Sequence, residues 1–169
     1  IFVSAHFGQW ELALPLMHSL GLDVTSIYRH INNPYLEDWL KNARTSAGGT
    51  LIRKGKDAVP KLLQALKNKQ SVSLLVDQKI TGGLVLPFLG HDATHNTTAA
   101  TFALKYGYPI IPAFIIRESG QFRCIIHPPI MPDENATIEQ ITGQINELVE
   151  KMIKQHPEQW LWTHRRWKK

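Results

Sequence analysis

Ile1-Phe2-Val3-Ser4-Ala5-His6-Phe7-Gly8-Gln9-Trp10-Glu11-Leu12-Ala13-Leu14 opens the chain, and how it is read decides the fold. Residues 1–5 form an apolar run of strand length, whereas Leu12, Ala13 and Leu14 begin a helix-like pattern. Such a junction lies at the carboxyl end of a strand, where open α/β sheets bind ligands. It also carries a histidine and a carboxylate five positions apart, His6 and Glu11. On one continuous helix, residues five apart point about 140° away from each other. The two side chains can meet only if His6 precedes the helix and the chain turns at Gly8, which a glycine permits.

Outward from this junction, strand-like and helix-like segments alternate. Residues 24–28 read as a strand, and a helix runs from Asn33-Pro34 to about Ser46, with Pro34 in its first turn. Residues 50–53 form a short strand. Asp57 then caps a helix with Val59, Leu62, Leu63 and Leu66 at three-to-four spacing. Residues 71–76 are a strongly apolar strand. Residues 78–96 read as a long loop containing Gly82-Gly83 and a short apolar piece at 84–89. Thr97 to Tyr106 is helical and stops at Gly107, and residues 110–116 and 121–127 read as a hairpin around Ser119-Gly120. After a linker, residues 136–155 give the longest helix. The pattern predicts an α/β fold, a mostly parallel mixed sheet flanked by helices with an antiparallel hairpin in the C-terminal part. A single domain spanning 1–169 is expected.

Composition narrows the classes. Of 169 residues, 43% are hydrophobic and 20% charged, which suits a globular core, and no stretch approaches the ~18 apolar residues of a membrane span. A net charge of +5 favours an anionic partner. No zinc-finger spacing or aromatic RNA-binding signature supports nucleic acid, whereas an anionic phospholipid surface or a phosphorylated glycolipid fits. The single cysteine, Cys124, lies in the strand-like Phe122-Arg123-Cys124-Ile125-Ile126 and is expected to be a buried structural thiol. His91 and His95 share a loop without a third ligand nearby, so no metal is expected. His18 and Asp23 repeat the His6–Glu11 spacing, but Gly21 between them reads as a helix stop.

Spacing alone is weak, since chance predicts about 0.7 such pairs in a chain with 8 His and 14 acidic residues. The alternative for His6 and Glu11 is a core histidine and a first-turn glutamate favoured by the helix dipole. Further motifs weigh in. His6-Phe7-Gly8-Gln9-Trp10-Glu11 resembles the H-F-G-N-W-E signature of the bacterial lipid A biosynthesis acyltransferases, the lauroyl and myristoyl transferase family. Tyr28-Arg29 with Asn33-Pro34 resembles its Y-R…N-P segment, and Arg44 with Gly48 or Gly49 and Leu51-Ile52 its R…G…I stretch. Val76-Asp77-Gln78 resembles its strand-end D-Q, Pro87-Phe88-Leu89-Gly90 with Thr97 or Thr98 its P-F-F-G…T, and Pro112-Ala113-Phe114 with Arg117 its P-x-F…R. Residues 159–168, Gln-Trp-Leu-Trp-Thr-His-Arg-Arg-Trp-Lys, are close to its Q-W-x-W-x-H-R-R-W-K and are the most specific match. Gln9 departs from the usual Asn, and Leu89 from a Phe.

The resemblance implies transfer of a fatty acyl chain from an acyl-carrier-protein thioester to a hydroxyl of a lipid A precursor, without a cofactor. It also implies a place at the cytoplasmic face of the bacterial inner membrane. Family members carry a membrane-anchoring helix and a helical segment ahead of the motif, so the chain reads as an amino-terminally truncated piece. A free alcohol is a poor nucleophile, so the chemistry needs a base. His6 is expected in that role, with Glu11 fixing its tautomer; no G-x-S-x-G elbow occurs. The backbone N–H groups of Gly8 and Gln9 are expected to meet the oxyanion, beside Trp10. The resemblance adds Arg44 as the side-chain oxyanion group. The alternative for Arg44 is an ordinary exposed helix arginine.

Asp77 either shapes the site with Gln78 or accepts turn hydrogen bonds. Arg29 and Arg117 end strands and would bind phosphate or carboxylate, or form structural ion pairs. Trp160 and Trp162 are expected to pack, with Arg165, Arg166, Lys168 and Lys169 facing phosphates of an anionic membrane. The same chemistry on another glycolipid or an aryl-polyene-type lipid, a hydrolase, and a catalytically silent lipid-binding domain are the alternatives.

Overall fold

The computed structural model describes residues 1–46, 48–133 and 135–167. The chain divides into two compact units, one made of Ile1–Trp10 and Leu75–Lys169, the other of Glu11–Leu74 inserted between them.

The inserted unit is built on parallel strands. It contains α1 (Ala13–Ser19), β2 (Val24–Tyr28), α2 (Pro34–Thr45), β3 (Thr50–Arg53), α3 (Ala58–Lys67) and all but the last residue of β4 (Ser71–Leu75). β2 lies between β3 and β4, with Thr25 opposite Thr50 on one side and Val72 on the other. Helix α3 buries Ala58, Leu62, Ala65 and Leu66, which fall on one face of the helix. Asn33 caps α2 by accepting from the Tyr35 amide at 3.0 Å, and Pro34 fills the first turn as expected. Asp57 does precede α3, but its side chain makes no capping hydrogen bond.

The outer unit carries β1 (Phe2–Ser4), β5 (Leu84–Phe88), β6 (His91–His95), α4 (Thr98–Tyr106), β7 (Ile111–Glu118), β8 (Gln121–Ile126) and α5 (Ile138–Gln155). β1 runs parallel to β7 with Val3 opposite Pro112, and β8 returns antiparallel with Glu118 opposite Gln121. The fold is thus α/β, mostly parallel, with the expected hairpin at β7–β8. Ser119 and Gly120 have φ of 50° and 79°, the two positive values that a two-residue type I′ turn needs. Thr137 and Gln140 form a capping box at the start of α5, which buries Ile141, Ile145, Val149, Met152 and Ile153.

Two expectations need correction. Residues 78–96 are not one loop, because β5 and β6 pair antiparallel with Phe88 opposite His91. The turn between them is Leu89-Gly90, with φ of 51° and 83°. A leucine in the left-handed region is uncommon, so the usual Asn-Gly signal for this turn is missing from the sequence. Cys124 is exposed rather than buried. Five of the six residues of β8 are exposed, and such a strand offers little cover to its own side chains.

Candidate functional site

His6 stands two residues beyond β1, and the chain leaving β4 runs beside that strand, the Val76 amide donating to the Ser4 carbonyl at 3.0 Å. One residue later, Asp77 Oδ1 lies 2.8 Å from His6 Nδ1. Gln78 Nε2 lies 3.2 Å from His6 Nε2. In this network Nδ1–H donates to Asp77 and Nε2 is met by the Gln78 amide. The His6 side chain is 19% exposed and that of Asp77 3%, so the ring can be reached while its carboxylate is sealed in. Trp10 packs its ring edge-on to His6 at 5.4 Å.

The second oxygen of Asp77 accepts from the Trp160 indole N–H at 2.9 Å. Burial pushes the Asp77 carboxyl up, but the bonds from His6 and Trp160 and the charge of His6 outweigh it and hold the group below its ordinary range. Trp160 arrives through a backbone bridge. Phe7 and Trp160 pair antiparallel, Leu161 N–H donates to the His6 carbonyl at 2.9 Å, and Gly8 N–H donates to the Gln159 carbonyl at 2.7 Å. Lys79 N–H also donates to His164 Nε2 at 2.9 Å. The C-terminal block therefore grips both strand ends that carry the dyad.

This grip overturns one expectation. Gly8 N–H is engaged by Gln159 and Gln9 N–H by the Ile115 carbonyl at 2.9 Å, so neither amide is free to meet an oxyanion. Gly8 has another reason to be glycine: its φ is +54°, and a β-carbon there would come within 2.1 Å of the Ile115 oxygen.

Arg166 is a second correction. It is 1% exposed and cannot face a membrane. Its guanidinium donates to the Thr94 carbonyl at 2.6 Å, meets His95 Nδ1 at 2.9 Å and lies 4.9 Å above the Phe88 ring. Burial, followed by the neighbouring Arg166 charge, pushes His95 down to about 4. Arg165 is exposed. Trp160 packs as expected, but Trp162 is 53% exposed, held by an indole bond to the Pro157 carbonyl at 2.7 Å. Lys168 and Lys169 lie outside the described residues.

In the inserted unit, Glu11 follows Trp10 in a 3-10 turn and is clasped by Arg44 in the last turn of α2. Arg44 Nε donates to Glu11 Oε2 at 2.7 Å, and Nη2 donates to the other oxygen. This fork raises the Arg44 guanidinium further above its ordinary value. The carboxylate on His6 is thus Asp77, and the two oxygens of Glu11, expected to orient His6, are engaged by Arg44. Arg29 and Arg117 are exposed beyond β2 and on β7, respectively. Trp160 is the donor to Asp77 that the sequence does not assign; the dense C-terminal Trp/His/Arg block is its signal. No group of three metal-ligating side chains occurs among the described residues.

A part-exposed histidine at a strand end, one ring nitrogen tied to a sealed carboxylate, suits general-base chemistry. The sequence model of the family described as bacterial lipid A biosynthesis acyltransferase matches residues 1–169, and the chain belongs to that family. It is 29% identical over 175 residues to the lipid A biosynthesis palmitoleoyltransferase of Escherichia coli (strain K12), covering 98% of this chain and 55% of that protein. It is 25% identical over 175 residues to the lauroyltransferase of the same strain, covering 99% and 56%. A lipid A biosynthesis acyltransferase of Haemophilus influenzae is 26% identical over 185 residues, covering 99% and 55%. The chain spans about half the length of the curated relatives it matches.

Proposed function

We propose that this chain performs acyl transfer from an acyl-carrier-protein thioester to a hydroxyl of a phosphorylated lipid A precursor, at the cytoplasmic face of the bacterial inner membrane. Family membership supports the reaction class, and the His6–Asp77–Trp160 arrangement supports the choice of base.

His6 Nε2 takes the proton of the acceptor hydroxyl as its oxygen bonds to the thioester carbonyl carbon. Asp77 stabilises the imidazolium that forms and keeps Nδ1 protonated, and Trp160 keeps Asp77 from rotating. When the tetrahedral intermediate collapses, the C–S bond breaks and the imidazolium returns its proton to the leaving thiolate. No residue of the protein is acylated. Gln78 releases Nε2 to the hydroxyl, and Trp10 bounds the ring. Arg44, its charge reinforced by Glu11, is assigned to the developing oxyanion on the strength of the resemblance. Arg29, Arg117 and Arg165, all exposed, are assigned to acceptor phosphates because an exposed guanidinium pairs well with phosphate.

The test is transfer from a panel of acyl-carrier-protein thioesters to a detergent-dispersed tetra-acyl lipid A precursor. A His6→Ala variant with unchanged circular dichroism is expected to lose about 10²- to 10⁴-fold in turnover. Equal turnover by that variant would remove His6 as the base. Release of free fatty acid as the main product would make the protein a hydrolase instead.

A further inference from the structure

Helix α2 is inside out over its first two turns. Glu37 is buried at 8% exposure, while Tyr35 is 89%, Leu36 51% and Trp39 67% exposed. Tyr35 and Trp39, four residues apart, share a face, and Leu36 lies beside them. Glu37 turns the other way and accepts from the Tyr28 hydroxyl and the Ile31 amide, both at 2.8 Å. These two bonds anchor the turn and fix which face looks out. Singly exposed apolar residues are ordinary on a protein surface; three large ones within five positions, opposite a buried carboxylate, call for a reason.

Charge supplies it. Tyr28 at the end of β2 stands opposite Arg53 at the end of β3, and Lys54 N–H donates to the Tyr28 carbonyl at 2.8 Å. The ends of these strands therefore bring Arg29, Arg53, Lys54 and Lys56 to the edge from which α2 starts, and all four are exposed. Exposed acids of the same region are Asp38 and Asp57, so the edge remains cationic. Tyr and Trp beside Lys and Arg are the composition of a protein face that rests in the head-group layer of a bilayer, rings below and charges among the phosphates.

We propose that Tyr35, Leu36 and Trp39, rimmed by Arg29, Arg53, Lys54 and Lys56, form a docking face for an anionic phospholipid bilayer. The occupant is the lipid surface itself, chosen by charge complementarity and by aromatic side chains whose polar tips suit an interface. Apart from Arg29, the face uses no residue assigned to the His6 reaction, and it locates membrane contact on the inserted unit rather than at the C-terminal arginines.

Co-sedimentation tests it with vesicles of phosphatidylcholine alone and of phosphatidylcholine mixed with phosphatidylglycerol. The unaltered chain is expected to bind the mixed vesicles, more weakly as salt rises, and the neutral ones poorly. A Tyr35→Ser/Trp39→Ser variant should bind the mixed vesicles about tenfold or more weakly, because two rings no longer leave water. Arg53→Glu/Lys54→Glu, which leaves the rings in place, should lose the preference for anionic lipid. Both variants change only exposed positions, so unchanged thermal unfolding and unchanged transfer to a detergent-dispersed acceptor are expected. The proposal is overturned if either variant binds mixed vesicles like the parent, or if the parent binds neither kind. Capture of an acidic carrier protein that both variants lose, with vesicle binding intact, would overturn it too and assign the face to that protein.

Discussion

Asp77 and Glu11 are both carboxylates bonded to nitrogenous side chains, in two units of the molecule, and they are built in opposite ways. The Asp77 side chain is 3% exposed and has one partner on each oxygen, His6 and Trp160. The Glu11 side chain is 36% exposed, and both its oxygens go to the same guanidinium, itself 22% exposed. A buried carboxylate with two unlike donors has one geometry open to it, because losing either bond leaves an unpaired charge in a poor solvent for it. A half-exposed fork can open and let water in at small cost. The first is suited to holding a ring still, the second to changing partners.

That contrast breaks most sharply at Asp77. Asp77→Asn should lower turnover by about 10³- to 10⁴-fold, because the amide can donate to Nδ1 and so favours the wrong tautomer. A pH–rate profile with circular dichroism as control separates this from loss of fold. A drop no larger than that of Glu11→Gln would erase the distinction between the two carboxylates.

Trp160→Phe comes next. It keeps the ring packed against Phe88, 5.9 Å away, and removes only the indole bond to Asp77. Denaturant unfolding should show a loss of about 1.5–3 kcal/mol, the range for a hydrogen bond to a charged group, with turnover reduced as Asp77 gains freedom.

The buried side of the comparison also has a pH signature. With a folded-state pKa of about 4 against about 6.5 unfolded, His95 takes up a proton on unfolding before it does so in the fold. Stability from this group is therefore complete above pH ~6.5 and falls as the pH drops toward ~4, by no more than about 1.4 kcal/mol per pH unit. Thermal melts across that window should flatten in His95→Gln. Glu11→Gln gives the smallest stability effect, on the order of 0.2–1 kcal/mol and shrinking with salt, as for other half-exposed pairs. Its value is as a measure of turnover, where any loss beyond that of stability marks a role for Arg44 in the reaction.

Much of the framework was legible because it is written locally. The strand-to-helix junction, Asn33-Pro34 at a helix start, Gly107 at a helix end and Ser119-Gly120 at a hairpin each carry their own conformational instruction within a few residues. Leu89-Gly90 does not: the leucine adopts a backbone that most leucines avoid, held by the pairing of β5 with β6. The burial of Cys124 was misjudged because alternation says that a residue lies on a strand, not whether anything covers it. At the site, His6 could be picked out from its setting, but its carboxylate could not. Asp77 is 71 residues away and the Trp160 donor a further 83 beyond Asp77, and no spacing rule reaches across such distances. Glu11 was the near choice for the ring because sequence proximity favours it, while the chain course that brings the Val76 amide to the Ser4 carbonyl is not visible in one dimension.

The bridge between Phe7 and Trp160 has a consequence in time. Residue 6 leaves the ribosome long before residue 160, and synthesis proceeds at about 5–20 residues per second. For that whole interval the nascent chain owns its histidine but not the backbone rung, the indole donor or the block that grips both strand ends. The His6 ring is therefore held in full only after residue 160 has been made. A stalled or prematurely released chain would carry the histidine without the indole donor that holds its carboxylate.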